Sequence, residues 1–432
     1  MKIRFYNARI LTMEKDSHIH TGELWVENGI ISYIGSREDA VNREKPEWDR
    51  EIDARGNLLM PGFKNAHTHS AMTFLRSYAD DLPLQDWLFQ RIFPMEAKLK
   101  PDDVKSASKL AIMEYLTSGI TANFDMYFFP EQFIEASIEC GFRTVMCGQV
   151  SGTDEEADDI LNRLTGYYNT FNNKHPLISC RLGFHAEYTT GRKVMEGIAE
   201  LAQKYQAPVF THNAETKKEV DECIARYGMT PTMLMDYMGM FMYGGGGFHC
   251  VWLNDEDIEI FKKHDMSIVT NPGSNTKLAS GIAPLTRFLD NGINVAIGTD
   301  GPASNNCLDM FREMFLATGL QKLRNNDAAA MNAMDVLRMA TVGGAKAMGL
   351  KNCDILAEGK AADLIMIDLH QPNMQPLNVI EKNIVYSGSK QNVKMTMVNG
   401  KILYENGEFF IGEDPERIYA DVNDLIARCK EA

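Results

Sequence analysis

The chain reads as β at both ends and as alternating strand and helix between them. Near the start, Leu24 to Ile34 makes two short strands around Asn28-Gly29, a strong hairpin signal. Near the end, Asp363 to Asp368 reads as a strand, and Met395 to Tyr404 is a second hairpin around Asn399-Gly400. Neither β segment is long enough for a core of its own, so both are expected to pair into one small β-sandwich. Asp414-Pro415 then opens an amphipathic helix with Ile418, Val422, Leu425 and Ile426 on one face.

Between these ends the predicted strands are Leu58 to His69, Ile120 to Asp125, Arg143 to Val150, Leu177 to Phe184, Pro208 to His212, Gly247 to Cys250, Met266 to Thr270 and Ile293 to Gly298. Helices are predicted over Asp102 to Ser118, Glu131 to Glu139, Asp154 to Phe171, Arg192 to Tyr205, Pro231 to Met238, Asn254 to His264 and Leu285 to Asn291. Further helices follow near Asp309 to Leu323 and Ala333 to Met348. Strand-helix alternation of this kind implies an α/β fold, a TIM (β/α)8 barrel with a helical coat. The expected division is 1–58 for the N-terminal part of the sandwich, 59–355 for the barrel, and 356–432 for the C-terminal part with its terminal helix.

Composition narrows the ligand. With 44% hydrophobic and 24% charged residues, the 432-residue chain has an ordinary globular make-up. Its formal charge of −15, without any Lys/Arg run, argues against nucleic acid. Neither a P-loop nor a dinucleotide fingerprint occurs. No apolar run reaches membrane-spanning length, and Met1 to Asn7 lacks a signal-like apolar region, so no membrane partner and a cytoplasmic location are expected. The eight cysteines form no C-x-x-C pair, which excludes a zinc knuckle or redox motif and leaves them as reduced core residues. The methionines clustered from Met229 to Met242 read as core filling. A small molecule of little charge is the expected ligand, and the composition is compatible with a homo-oligomer.

The chemistry is carried by strand ends, where such barrels place active residues. Residues two apart on a strand share a face, so His67 and His69 project together. His185, His212, His249 and Asp300 end later strands, and Glu215 lies three residues beyond His212. His18, His20, His175, His264 and His370 fall elsewhere. Each rim histidine alone reads equally as a hydrogen-bonded core residue; five at one rim point instead to a site. Three histidines and an aspartate suit a zinc-like ion with one position left open.

These residues sit in His67-Thr68-His69-Ser70-Ala71-Met72-Thr73, in Pro208 to Thr216, in Phe248-His249-Cys250-Val251, in Asn271-Pro272-Gly273-Ser274-Asn275 and in Gly298 to Asn306. Together these stretches resemble the amidohydrolase superfamily over essentially the whole chain, and within it the 5-methylthioadenosine/S-adenosylhomocysteine deaminases. The resemblance implies that His67, His69, His212 and Asp300 bind the metal and that Asp300 also takes a proton from the attacking water. Glu215 would relay protons to the ring nitrogen and the leaving amine, and His249 would polarise the water or the developing oxyanion. His185 and Ser304 would contact the base, and Glu96 the ribose hydroxyls. Some members hold two metals bridged by a modified lysine. No lysine lies in Leu177 to Phe184, so one divalent ion is expected, zinc before iron.

The sequence departs from the resemblance after the third strand. Users of S-adenosylhomocysteine carry arginines there; Met146 to Glu156 has none and ends in acids. This favours 5-methylthioadenosine, 5′-deoxyadenosine or adenosine, with Arg91 or Arg163 as substitutes for the clamp. The alternatives are hydrolysis of another ring, such as guanine, a pterin or a triazine, and a non-catalytic scaffold. The absent cysteine pair excludes a zinc deaminase of nucleic-acid bases.

Overall fold

The computed structural model describes residues 1–43 and 45–431. Eight parallel strands form the barrel: β1 (Phe63–Thr68), β2 (Ile120–Asp125), β3 (Arg143–Cys147), β4 (Ile178–Ala186), β5 (Val209–Asn213), β6 (Gly245–His249), β7 (Ser267–Thr270) and β8 (Asn294–Ile297). They pair in chain order. The seam between the end of β8 and β1 is bridged by hydrogen bonds. Asp300 N donates to His67 O at 3.0 Å, Thr299 N to Asn65 Oδ1 at 2.8 Å, and Asn65 Nδ2 to Thr299 Oγ1 at 2.7 Å. Phe124, Phe210 and Phe248 fill the interior. Space for them comes from Gly246, where a Cβ would meet the Phe210 ring. β6 begins at Gly245, two residues before the predicted Gly247, where Gly245 pairs with Val209.

The predicted first strand is two strands. Leu58–Pro61 belongs to the terminal sheet, and β1 starts after Gly62. A Cβ at Gly62 would run into the Thr121 side chain, so only glycine lets the chain pass so close to β2 as it changes sheets.

Nine strands from both chain ends join in one sheet. Leu58–Pro61 pairs antiparallel with Leu364–Ile367, aligning Leu59 with Met366 and Met60 with Ile365. Alternation then sends Leu59 and Met366 into the sandwich core, beside Phe5, Leu24, Val26, Met395 and Met397. Leu58, Met60, Ile365 and Ile367 face the barrel core instead. The sandwich is thus one sheet folded over its own core, and its other face is bonded to the barrel.

Most predicted helices appear within a residue or two; Arg192–Tyr205 matches at both ends. Several helices were not anticipated, Pro272–Lys277 and Ile380–Tyr386 among them, and Lys217–Tyr227 is the longest. Lys217–Tyr227 follows β5, and Val220, Cys223, Ile224 and Tyr227 give it a short apolar stripe among its charges. The long connection after β1 also carries structure, a 3-10 turn over Ser70–Leu75 and helical turns from Leu84 to Glu96. The methionine cluster divides: Met235 and Met240 are core, while Met242 is exposed. The eight cysteines are unbridged. Among the described residues no helix is long and apolar enough to cross a membrane.

Candidate active site

Every expected site residue lies at the C-terminal rim of the barrel. One cavity there is lined by Glu96, His185, His212, Glu215, His249 and Asp300, with His69 and Ser304; His67 is fully buried just beneath them.

The centre of the site is Asp300, in a left-handed conformation three residues beyond the end of β8 (φ 58°). Its Oδ1 lies 3.4 Å from His67 Nε2 and 3.2 Å from His69 Nε2. His212 Nε2 is 3.1 Å from His67 Nε2. The partners of the remaining nitrogens assign the tautomers. His69 Nδ1 donates to Met126 O at 2.5 Å, and His212 Nδ1 donates to His185 O at 2.6 Å. Both Nε2 atoms are therefore left as bare lone pairs aimed inward, the usual orientation of metal-ligating histidines. Burial holds His67 down to about 3 and His212 well below its ordinary value, so both are neutral at neutral pH. Burial would push the Asp300 carboxyl up, but the His67 and His69 rings hold it well below the usual range. Burial would lower His69, but the Asp300 carboxylate beside it raises it above its ordinary value. Three imidazoles, His67 and His212 among them neutral, and an ionised carboxylate converging on one point fit a divalent cation. His67 Nδ1 is buried without a protein partner.

His249 stands slightly apart. Its Nε2 faces the other Asp300 oxygen at 3.9 Å, and its Nδ1 donates to Asn275 Oδ1 at 2.7 Å. His67, His212, His249 and Asp300 place one ligand atom each within 4.8 Å of one another. The rim thus offers five donors where a tetrahedral ion takes four, and His249 is the one turned toward Oδ2 and Glu215.

That Oδ2 accepts hydroxyl donors from Ser274 at 2.6 Å and Ser304 at 2.9 Å. Ser304, expected on the base, has Asp300 Oδ2 at 2.9 Å and Gly301 O at 3.1 Å as acceptors for its hydroxyl. Glu215 is 5% exposed, and Ser280 Oγ donates to its Oε1 at 3.1 Å. Its carboxyl is raised by burial, which His249 only partly offsets. A carboxyl poised toward neutrality suits proton transfer in both directions. Glu96 is half-buried beside Tyr127, whose hydroxyl donates to Oε1 at 2.7 Å. Burial pushes Glu96 up to about 7 against that bond. The His185 ring, with Nδ1 on Thr189 Oγ1 at 2.9 Å, lies beside His212 and is held down to about 3 by burial.

Ser274, Asn275, Ser280 and Tyr127 also serve the site, without a role assigned from sequence. Ser274 and Asn275 sit in a stretch already singled out, but nothing in its spacing says which side chain reaches which partner. Ser280 and Tyr127 carry no local signal.

A second cavity of about 590 Å3 adjoins the first and shares Phe93, Glu96, Tyr127 and Gln149 with it. Phe128, Phe129, Met146, Val150 and Tyr167 make most of its wall apolar, and Arg163 and Glu131 stand in the same lining. Arg91 lines neither cavity.

A family model described as the amidohydrolase family matches residues 58–403. A protein of Caldanaerobacter subterraneus named 5-methylthioadenosine/S-adenosylhomocysteine deaminase is 40% identical, over 98% of this chain and 97% of that one. A 5′-deoxyadenosine deaminase of Methanococcoides burtonii is 38% identical over 92% of this chain and 91% of its own length. A crystal structure of an adenosine deaminase from Xanthomonas campestris with bound zinc superposes with a TM-score of 0.93 at 32% identity, covering 100% of this chain and 98% of that one.

Proposed function

The chain belongs to the amidohydrolase family and is a hydrolase acting on carbon–nitrogen bonds, and from that premise we propose that it deaminates the adenine ring of a nucleoside with an uncharged 5′ end. The observation that carries this reading is the placement of Glu96 in the same cavity as Asp300 and Glu215. A carboxylate can accept from both hydroxyls of a cis diol, a role without purpose for a free base.

A divalent ion, zinc before iron, held by His67, His69, His212 and Asp300, would act as a Lewis acid and make water nucleophilic at neutral pH. The protein's own groups handle protons and orientation. Asp300 Oδ2, steadied by Ser274 and Ser304, accepts a proton as water oxygen adds to the ring carbon. Glu215 gives its own proton to the adjacent ring nitrogen and then relays the proton taken up by Asp300 to the departing amine; ammonia leaves as the carbon–nitrogen bond breaks, and the added hydroxyl returns a proton to Glu215 as its oxygen becomes the carbonyl. His249 Nε2 faces the oxygen on which charge develops. His185 bounds the base, and the half-buried Glu96 anchors the ribose.

The outer cavity supports the preference at the 5′ end. Its wall is mainly apolar, and Gln149 puts a neutral amide at the junction of the two cavities. An exposed Arg163 shares that lining with Glu131, a poor setting for an amino-acid carboxylate.

Ammonia release from zinc-loaded protein tests the reading over adenosine, 5-methylthioadenosine, 5′-deoxyadenosine, S-adenosylhomocysteine, guanine, a pterin and a triazine. The expected result is a higher kcat/KM for 5-methylthioadenosine or 5′-deoxyadenosine than for S-adenosylhomocysteine, with Glu96→Ala raising KM most. Reaction of a ribose-free ring alone would overturn it.

A further inference from the structure

The turn that carries Glu215 is held from behind by a second buried carboxylate. After β5 ends at Asn213, Ala214 adopts a left-handed backbone (φ 51°), a conformation that costs a residue with a Cβ about 1–2 kcal/mol. This reversal brings Glu215 into the cavity. It also leaves the N–H groups of Ala214 and Glu215 inside the protein, at 0% and 5% residue exposure. Unpaired, each would cost about 1–3 kcal/mol.

Glu219 accepts them. Its Oε1 takes Ala214 N at 2.9 Å, and its Oε2 takes Glu215 N at 2.8 Å and, more distantly, Thr216 N at 3.5 Å. Thr216 Oγ1 accepts Glu219 N at 3.2 Å in return, so Thr216 and Glu219 form the capping box of helix Lys217–Tyr227. A capping box asks its glutamate only for the N-cap N–H, which here is the longest of the three bonds. The two short bonds go to the residues before the cap, one of them Glu215 itself.

The chemistry of the site also points beyond capping. Glu219 is 2% exposed, and the titratable groups facing it are Glu215, Tyr188, Cys223 and Cys250, none of them a cation. Burying a carboxylate without a counter-ion costs several kcal/mol, more than a helix cap returns. What a carboxylate offers that an amide cannot is two acceptor oxygens, one for each of the buried N–H groups.

We propose that Glu219 is the positioning residue for Glu215: its two oxygens fix the reversed turn and thereby aim the Glu215 carboxylate at the reacting ring. Ser280 steadies the far end of the same side chain, so Glu215 is fixed at backbone and carboxylate alike. The proposal rests on Glu215 being the proton carrier.

A double-mutant cycle with Glu219→Gln and Glu215→Gln tests it. Glu219→Gln is expected to lower kcat about 10-fold or more with KM within about twofold and metal content unchanged. In the Glu215→Gln background the same change should cost less than about twofold, because the group it positions is already disabled. Equal losses in both backgrounds, or a loss confined to KM or to metal, would overturn the proposal. Thr216→Ala removes the cap but not Glu219; it should lower the melting temperature and leave kcat within about twofold. Should Glu219→Gln not fold, Glu219→Asp, which draws the charge back by one methylene, reads the same cycle. Amide hydrogen exchange supplies a readout independent of substrate. The amides of residues 214–216 should exchange at least about 10-fold faster in the variant while those of β5 and β6 are unchanged. Unaltered exchange would sink the proposal whatever the substrate. Faster exchange in a protein that deaminates nothing would sink the functional reading and leave the hold of Glu219 on the turn intact.

Discussion

Charge is buried at both ends of the barrel, and the two ends treat it oppositely. At the base, Arg143 at the start of β3 makes a two-pronged bond to Asp363, Nε to Oδ2 at 2.6 Å and a terminal nitrogen to Oδ1 at 2.9 Å. Asn399 N adds a third donor at 2.7 Å. Burial alone would raise Asp363, yet Arg143, with help from Lys64, holds it below the ordinary range. Lys64 itself is fully buried and donates to Gly62 O at 2.9 Å and Thr121 Oγ1 at 2.8 Å. At the rim, Glu96, Glu219 and Glu313 are raised to about 7, 7 and 8, burial being the main cause of each. His67 and His185 are driven down to about 3 by the same cause. The base completes its charge pairs within the chain and fastens sandwich to barrel. Apart from the Asp300–His69 pair, the rim leaves these carboxylates without cations and the His67 and His185 imidazoles without protons, a pattern that the proposed ion and substrate would complete.

The comparison breaks first at the metal. His67→Ala should remove an inward donor, so that bound zinc and deaminase activity fall together to background while the fold persists. Elemental analysis and ammonia release on one preparation check this; activity without bound metal would contradict it. The complementary cut at the base is Arg143→Met. It strands Asp363 in the interior and should cost about 3–5 kcal/mol of stability with metal content unchanged. Adding Asp363→Leu should restore part of the loss, since the stranded charge is then gone. Denaturant melts of the single and double variants measure it, and an equal loss in both would mean the pair is not what joins the two parts.

Sequence anticipates the rim better than the means by which the rim is held. His67, His185, His212, His249 and Asp300 could be placed because each ends a strand in a repeating strand-helix pattern, and that pattern depends on local periodicity alone. The family likeness itself was also readable from those strand-end stretches. Glu96 came from the resemblance only, since it lies in the irregular connection after β1. The break at Gly62 stayed hidden because Leu58 to His69 is apolar throughout, and a close approach to Thr121 leaves no mark on periodicity. Glu219 and Glu313 carry no signal of their own in the sequence, one among the charges of Lys217–Tyr227 and the other in an apolar turn of Met310–Asn325. Their burial follows from which loops pack over them, a tertiary fact. Thr216-Lys217-Lys218-Glu219 has the spacing of a capping box, the local mark of the start of helix Lys217–Tyr227.

The smallest expected effect concerns Glu313, and it tests whether the rim carboxylates differ in protonation from those at the base. Glu313 lies on helix Met310–Asn325 and is fully buried. Its Oε2 accepts Gly273 N at 2.8 Å and its Oε1 accepts Asn305 Nδ2 at 2.8 Å. It therefore links the turn bearing Ser274 to the loop bearing Ser304, whose hydroxyls both donate to Asp300. Burial pushes its carboxyl up to about 8 from 4.5, despite those two bonds. A carboxyl whose folded pKa is raised keeps a proton that the unfolded chain has already lost. Its contribution is fully present below the unfolded value, and stability declines as pH rises through the folded value. Between about pH 6 and 8 the wild-type protein, with zinc saturating throughout, should lose roughly 1–2 kcal/mol more than Glu313→Gln, which cannot ionise. The amide can still accept Gly273 N, and its NH2 offers a donor to Asn305 Oδ1, which is buried without a partner. Thermal melts of both proteins across that range decide the matter, because every other titrating group is common to the two. Parallel curves would mean that Glu313 is ionised throughout, and that the rim, like the base, compensates this charge within the chain.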